Sequence, residues 1–247
     1  MHFDIIHLPK EEWKDTILPI GYRTDQYYDV ILNKHESGYH IKIEKKGFRE
    51  TVTRAADEGE DSDKLYGDYR SNPFAWGIVV DGGLVAAIET DQESWSNRLR
   101  VSELWVADTY LKQGLGRALM DVAKEQARLE RRRAVILETQ SSNVNAIGFY
   151  HHEGFRLIGM DTCCYGNDDL ERKEVRLEFG WFPEKKEKLS REDIVIRKET
   201  EADYYAVERM TQLAFWNKYK PGCEEHYLVH QLRQDSAYLP ELKPDRQ

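Results

Sequence analysis

The segment Val106-Ala-Asp-Thr-Tyr-Leu111-Lys112-Gln113-Gly114-Leu115-Gly116-Arg117-Ala118 leads from an apolar strand pattern into a helical one. Two glycines at this junction let backbone N–H groups converge. Free amides and the positive end of the helix dipole then make an anion site, and a phosphate or pyrophosphate is its natural guest. The GK[ST] ending of a nucleotide-binding P-loop is missing, and so is the full GxGxxG of the dinucleotide fingerprint. Taken alone, the same glycines also serve tight packing with no ligand. Metal chemistry finds no support. His151 and His152 are neighbours that point about 100° apart on a helix, and Cys163, Cys164 and Cys223 form neither a CxxC pair nor a Cys/His cluster of ligand spacing. Cys163 and Cys164 would face opposite sides of a strand, so all three read as reduced thiols.

The elements that must hold this loop follow from periodicity. Residues 1–38 are polar and irregular, with a short helix expected around Gln26–Asn33, and Tyr39–Ile43 alternates like a strand. The acidic run from Asp57 to Asp63 reads as a solvated loop, or else as a lid that attracts a cation. Phe74–Val80 and Leu84–Thr90 are strands around the turn Asp81-Gly82-Gly83. Arg98–Val106 is a third strand. Gly114–Arg131 is a helix with Leu115, Ala118, Leu119, Val122, Ala123 and Ala127 on one face, and Arg131–Arg133 suit the negative end of its dipole. Ala134–Thr139 is a strand, Asn143–His152 a helix stopped by Gly154, and Phe155–Met160 and Val175–Phe179 are strands. This order predicts a mixed, mostly antiparallel sheet flanked by helices, of the α/β or α+β class.

Composition narrows the function. The chain has 247 residues, 33% charged and 11% aromatic, with a net charge of -9. Its pI is near 5.5 and its mean hydropathy -0.73. The aromatic content argues for a folded protein. No run approaches the ~18 apolar residues of a membrane span, and the first residues lack the basic and apolar regions of a signal peptide. A cytoplasmic protein that binds neither membrane nor nucleic acid is expected. The acidic balance disfavours nucleic acid and leaves a cationic substrate open.

A second segment, Asn143-Val-Asn-Ala146-Ile-Gly-Phe149-Tyr150-His-His-Glu-Gly154-Phe155, follows one strand after the glycine loop. It fits the pattern N-x-x-A-x-x-F-Y-x-x-x-G-F. The glycine loop fits Arg/Gln-x-x-Gly-x-Gly/Ala, except that Leu111 stands where Arg or Gln is expected. Together the two segments resemble the GNAT superfamily of acyl-CoA-dependent N-acetyltransferases. Leu137-Glu138-Thr139-Gln140, Gly159-x-Asp161-Thr162-x-x-Tyr165-x-Asn167, Trp95 and Val101–Val106 further resemble the streptothricin acetyltransferases of that superfamily. The resemblance covers most of residues 1–182.

It implies a GNAT fold with strands splayed at an acetyl-CoA site, and no metal. Main-chain groups of Leu104, Trp105 and Val106 would bind the pantetheine arm. The amides of Lys112, Gln113, Gly114, Leu115, Gly116, Arg117 and Ala118 would hold the pyrophosphate, with Leu111 leading in. Asn143, Ala146, Phe149 and Tyr150 would line the coenzyme from the second helix. Tyr150 would protonate the leaving thiolate, or else serve as a packing aromatic. A neutral amine must form first, since a lysine-type amine has a pKa near ~10.4. Glu103 is the candidate to take that proton, or else pairs elsewhere as a structural carboxylate. Strand alternation groups it with Val101 and Trp105, opposite Ser102 and Leu104. Asp161 is a second candidate for holding a cation. The acceptor implied is a small cationic amine, with a protein lysine, a protein N-terminus or a polyamine as the alternative. A noncatalytic acyl-CoA-binding module is a third reading.

Past a charged linker at 183–189, residues 190–247 carry 11 acidic and 9 basic residues. Ile194–Arg197 reads as a strand, Asp203–Trp216 and Glu224–Arg233 as helices. This resembles the start of another GNAT domain without its acetyl-CoA motif. It is expected to be a noncatalytic appendage that buries its apolar faces on the catalytic domain or in a homodimer.

Overall fold

The computed structural model describes residues 3–56, 63–184, 197, 199–215 and 225–234. The chain divides into a unit of Met1–Pro183 and one of Glu184–Gln247. In the first, β1 (Ile6–His7), β4 (Pro73–Val80), β5 (Gly83–Glu93), β6 (Arg98–Val106), β7 (Ala134–Gln140), β9 (Arg176–Trp181) and β8 (Arg156–Asp161) form one sheet in that spatial order. Every neighbouring pair is antiparallel except β6 and β7. The turn between β4 and β5 has Asp81 at φ 51° and Gly82 at φ 79°, the left-handed pair that a two-residue hairpin requires.

Helix α2 (Leu115–Leu129) packs its apolar face on the sheet, and α3 (Val144–His152) follows β7. The buried face of α2 is Leu115, Leu119, Met120, Ala123, Lys124 and Ala127. Ala118, expected on that face, is exposed, because the stripe turns toward Met120. The main core joins this face to Ile78, Ile88, Leu99, Val101, Leu137 and Phe179 of the strands. A smaller cluster on other strand positions collects Leu8, Leu18, Leu65, Tyr66, Ala75 and Ala87, with Trp105 against it. Two short helices complete the unit, α1 (Lys10–Trp13) and α4 (Asp169–Arg172).

The helix expected at Gln26–Asn33 is instead part of β2 (Tyr22–His35). This strand pairs with β3 (Gly38–Arg54) along nearly its whole length as a separate two-stranded sheet. Tyr27, Tyr28, Val30 and Ile31 favour a strand, and a long partner decides what a 14-residue window leaves ambiguous. Asp29 fastens this hairpin to Lys173 at 2.9 Å, and the Tyr28 N–H donates to the Ser141 carbonyl at 2.8 Å. Cys163 and Cys164, read as strand residues, lie in a bend, exposed and unpaired.

The second unit contains α5 (Tyr204–Phe215) and α6 (Glu225–Gln234). Thr200 and Asp203 form a reciprocal capping box ahead of α5. Arg233 of α6 bridges Glu199 and Glu208, both at 2.7 Å, and stacks on the Tyr204 ring. The strand expected at Ile194–Arg197 falls outside the described residues except for Arg197. Most of the 183–189 linker, most of the acidic run from Asp57, and Cys223 lie outside them too. No described helix is long and apolar enough to cross a membrane.

Candidate active site

Parallel strands β6 and β7 pair only at Arg98–Arg100 with Ala134–Ile136. Beyond Arg100 they part, so the main chain of β6 from Val101 to Val106 has no strand on that side. Where the parting begins, β6 carries a bulge. Glu103 sits opposite Glu89, yet Val101 sits opposite Thr90, which leaves Ser102 extra. A bulge re-aims every side chain after it. Strict alternation groups Val101 with Glu103, but the bulge separates them. Val101, Leu104 and Val106 join the main core, whereas Trp105 packs on the smaller cluster. The Ser102 hydroxyl is buried there without a hydrogen bond among the described residues.

The glycine loop lies at the end of β6. Gly114 is the N-cap of α2 at φ 88°, with no side-chain cap, and Lys112 also has a positive φ of 61°. The first main-chain bond of the helix joins the Ala118 N–H to the Gly114 carbonyl at 3.0 Å. The amides of Leu115, Gly116 and Arg117 therefore precede the helix's own pattern and point out of its end. A Cβ on Gly116 would stand 3.6 Å from the Phe149 ring, an ordinary contact distance, so the ring packs beside this position with room for a methyl group. The Arg117 guanidinium leans away onto Glu153 at 3.0 Å and His152 at 2.8 Å, which leaves its amide for an anion. Glu153, buried, also takes Lys124 at 2.8 Å, locking α2 to α3. Leu111 is half exposed, and Gln113 donates to the Thr109 carbonyl at 3.1 Å.

On α3, the Asn143 Oδ1 accepts the Ala146 N–H at 3.2 Å as the helix cap. Its oxygen is committed to the fold, and its amide NH2 remains for a ligand. Tyr150 packs among Phe149, Phe155 and Phe179, with ring centroids 5.8 to 6.2 Å apart. Burial, with the nearby Glu103 and Glu138 carboxylates, pushes its phenol well above the ordinary range. It therefore keeps its proton at neutral pH and holds it more tightly than a free phenol does.

Glu103 is 6% exposed, and Glu89 beside it on β5 is fully buried. Arg70 lies between them. Its guanidinium donates to Glu103 at 2.6 Å and stands 3.3 Å from Glu89. Burial, and the charges of Asp63 and Glu89, push the Glu103 carboxyl up to about 8 against the pull of Arg70. A base near 8 is matched to proton abstraction close to neutral pH. Asp161 is exposed at the end of β8 and accepts the Cys163 N–H at 2.9 Å, and the bonds that join Arg70, Glu89 and Glu103 do not include it. Trp95 is 84% exposed, with Arg98 over its ring. Arg70 and Glu89 escape motif reading. One signal for Glu89 exists in the sequence, an acid directly after the apolar run Leu84–Ile88 and still within the expected strand Leu84–Thr90. Arg70 has none. Among the described residues no group of His, Cys, Asp or Glu is set to hold a metal ion.

A mixed sheet whose two parallel strands part over a glycine-led helix start, with a half-buried phenol and a buried carboxylate at the gap, defines a coenzyme-dependent acyl-transfer fold. Residues 17–155 match the Acetyltransferase (GNAT) family. The chain belongs to that family and is an N-acetyltransferase that uses acetyl-CoA. A streptothricin acetyltransferase of Escherichia coli is 26% identical over 158 residues, 64% of this chain and 83% of that protein. One from Streptomyces lavendulae is 32% identical over 108 residues, 44% of this chain and 53% of its own length. In fold, the chain is similar to the crystal structure of nourseothricin acetyltransferase, with a TM-score of 0.56 and 22% identity over 73% of this chain and 98% of that one. It is also similar to a Bacillus anthracis protein assigned as a streptothricin acetyltransferase and crystallised with acetyl coenzyme A. There the TM-score is 0.57 and the identity 20%, over 74% of this chain and 99% of that one.

Proposed function

We propose that this chain moves the acetyl group of acetyl-CoA onto a primary amine of a small cationic acceptor of the streptothricin type. The observation that carries this reading is the placement of Glu103, a buried carboxyl that accepts from Arg70 at 2.6 Å, sits at the parting of β6 and β7, and lies near enough to Tyr150 to raise its phenol. Glu89 and Glu103 share one guanidinium there, the charge of Asp63 also reaches Glu103, and such an excess of carboxylates favours a cation. The relatives with streptothricin in their names lend the acceptor class.

In this reading the amides from Lys112 to Ala118 hold the pyrophosphate. The freed main chain of Leu104, Trp105 and Val106 binds the pantetheine arm, and the Asn143 amide adds a contact from α3. Glu103 takes the proton of the ammonium, directly or through water, and the freed lone pair attacks the acetyl carbonyl. As the carbon–sulfur bond breaks, Tyr150 gives its proton to the departing thiolate. The nitrogen, left with one proton too many after attack, gives it up to restore Tyr150, the proton held by Glu103 passes to solvent, and the products are an amide and the free thiol. Work on acetyl-CoA fits a cytoplasmic location. Residues 190–247 have no part in this chemistry. Met210, Leu228 and Leu232 are exposed on α5 and α6, and we assign them to self-association.

The test is thiol release from acetyl-CoA by the full chain with streptothricin, a polyamine, a lysine peptide and a free peptide N-terminus. Release with streptothricin far above the other amines supports the proposal. Preference for peptides moves the acceptor to protein, and binding of acetyl-CoA without release by any amine removes the catalytic reading.

A further inference from the structure

Arg70 lies in the segment from Asp63 to Asn72, which is strapped to the sheet at both ends. Tyr66, 2% exposed, gives its hydroxyl proton to the Leu8 carbonyl, and its oxygen accepts the Ala75 N–H at 3.1 Å. The Tyr66 N–H donates to the Glu89 carboxylate at 2.5 Å. Past Arg70, the Ser71 and Asn72 amides donate to Asp91 at 3.2 and 2.8 Å. Between these anchors the Arg70 N–H closes a turn on the Gly67 carbonyl at 2.9 Å, and the guanidinium lies over the Tyr69 ring. Every neighbouring bond fixes the direction in which this side chain leaves the backbone.

It is aimed at two carboxylates on adjacent strands. Only Glu103 receives a well-formed hydrogen bond. The Arg70 Nε and the Glu89 Oε1, 3.3 Å apart and both buried, form an ion pair but no hydrogen bond. The guanidinium is therefore seated on Glu103 and borrows Glu89 as a back support, while Glu89 spends its other oxygen on the Tyr66 N–H. A lone surface arginine would not be held this way.

We propose that Arg70 is a positioning residue for the acceptor side of the site: seated between Glu89 and Glu103, it orients the Glu103 carboxyl at the parting of β6 and β7 and favours its charged, proton-accepting form. This rests on Glu103 being the base proposed above. The groups that face Glu103 are Asp63, Tyr69 and Arg70 from the strapped segment, Glu89 from β5, and Tyr150 from α3. Of these, Arg70 is the cation. Burial and the two neighbouring acids drive Glu103 toward its neutral form, and a neutral acid cannot take a proton. Arg70 opposes both. When an ammonium arrives, it adds a second positive charge beside Glu103, and the proton leaves the nitrogen for a carboxylate already oriented to receive it.

The sign follows. Removing the cation raises the pH at which Glu103 ionises, so the acidic limb of kcat/KM for the amine moves alkaline. Removing the like charge of Glu89 moves it the other way. Each unit of displacement is about tenfold in the ionised fraction below the limb.

The experiment is the pH profile of kcat/KM for streptothricin at saturating acetyl-CoA, using the full chain. Arg70→Gln should move the limb alkaline by about one unit or more and recover activity at high pH. Arg70→Lys, which keeps the charge, should return the limb close to its original place, and it is the variant to read if Arg70→Gln does not fold. Glu89→Gln should shift the limb toward acid. In Glu103→Gln the limb should vanish. A uniform fall in kcat/KM with an unmoved limb in Arg70→Gln and Arg70→Lys would make Arg70 merely structural. A limb that persists in Glu103→Gln would instead remove Glu103 as the base, and the proposed function's mechanism with it.

Discussion

At the start of α2 the working groups are amides, and the side chains around them are occupied elsewhere: Arg117 on Glu153, Gln113 on Thr109, and Leu111 turned out with 50% exposure. At Glu103 the reverse holds. The main chain of Glu103 pairs with β5 on one edge, and the acid–base chemistry sits in four side chains, Asp63, Arg70, Glu89 and Glu103, drawn from three separate elements. The difference teaches where each half tolerates change. An amide site depends on backbone conformation, so it needs glycine where φ is positive and accepts Leu111 in place of a charged residue. A charge site depends on balance, so one substitution at a distance in sequence retunes it.

The comparison breaks most sharply at Tyr150, where both halves meet. Tyr150→Phe keeps the ring against Phe155 and Phe179 and removes the proton. General acid help is worth 10²–10⁴-fold, so kcat should fall by about that order with acetyl-CoA affinity nearly unchanged. Steady-state kinetics beside calorimetry would read both, and a wild-type kcat would remove the phenol as the acid. Next is Gly114→Val. Space is open around this position, so the effect comes from φ 88° alone. Holding a side chain there costs roughly 1–2 kcal/mol, which should weaken acetyl-CoA binding by about tenfold as the amides swing away. Unchanged affinity by calorimetry would take the pyrophosphate off this loop. The pH profiles of Arg70, Glu89 and Glu103 variants sharpen the other half, since the same substitutions should leave acetyl-CoA affinity alone. The smallest effect is expected from cutting the chain after Leu189. Turnover and acetyl-CoA affinity should hold, because the family match and the site lie within Met1–Pro183. A lower mass in solution, read by light scattering, is the expected change, and an unaltered mass would remove α5 and α6 from self-association.

How much was legible follows from the kind of group involved. Strands β4 to β9 and helices α2 and α3 announce themselves by periodicity, and the turn at Asp81-Gly82 and the stop at Gly154 by residue type, since Gly154 stands at φ 83°. Hairpin β2–β3 misled at Gln26–Asn33, because a strand's stability lies in the partner it meets, and Gly38–Arg54 is not visible from within the window. The buried face of α2 was nearly right. Its error, Ala118 for Met120, reflects the angle at which the helix crosses the sheet, which periodicity does not contain.

What the sequence determined by itself was the local chemistry of Gly114-Leu115-Gly116 and Asn143–Phe155, because a positive φ, a helix start and a cap are properties of a few consecutive residues. Tertiary structure alone decided three things: that β6 and β7 part after Arg100, that a bulge at Ser102 divides Glu103 from Val101, and that Arg70 reaches Glu89 and Glu103 across 19 and 33 positions of chain. Strand divergence and a bulge are relations between neighbours in a sheet. The ionisation of Glu103 is a relation between charges in a buried volume, where removing water makes each neighbour count. Neither can be written in any stretch of residues short enough to read as a motif.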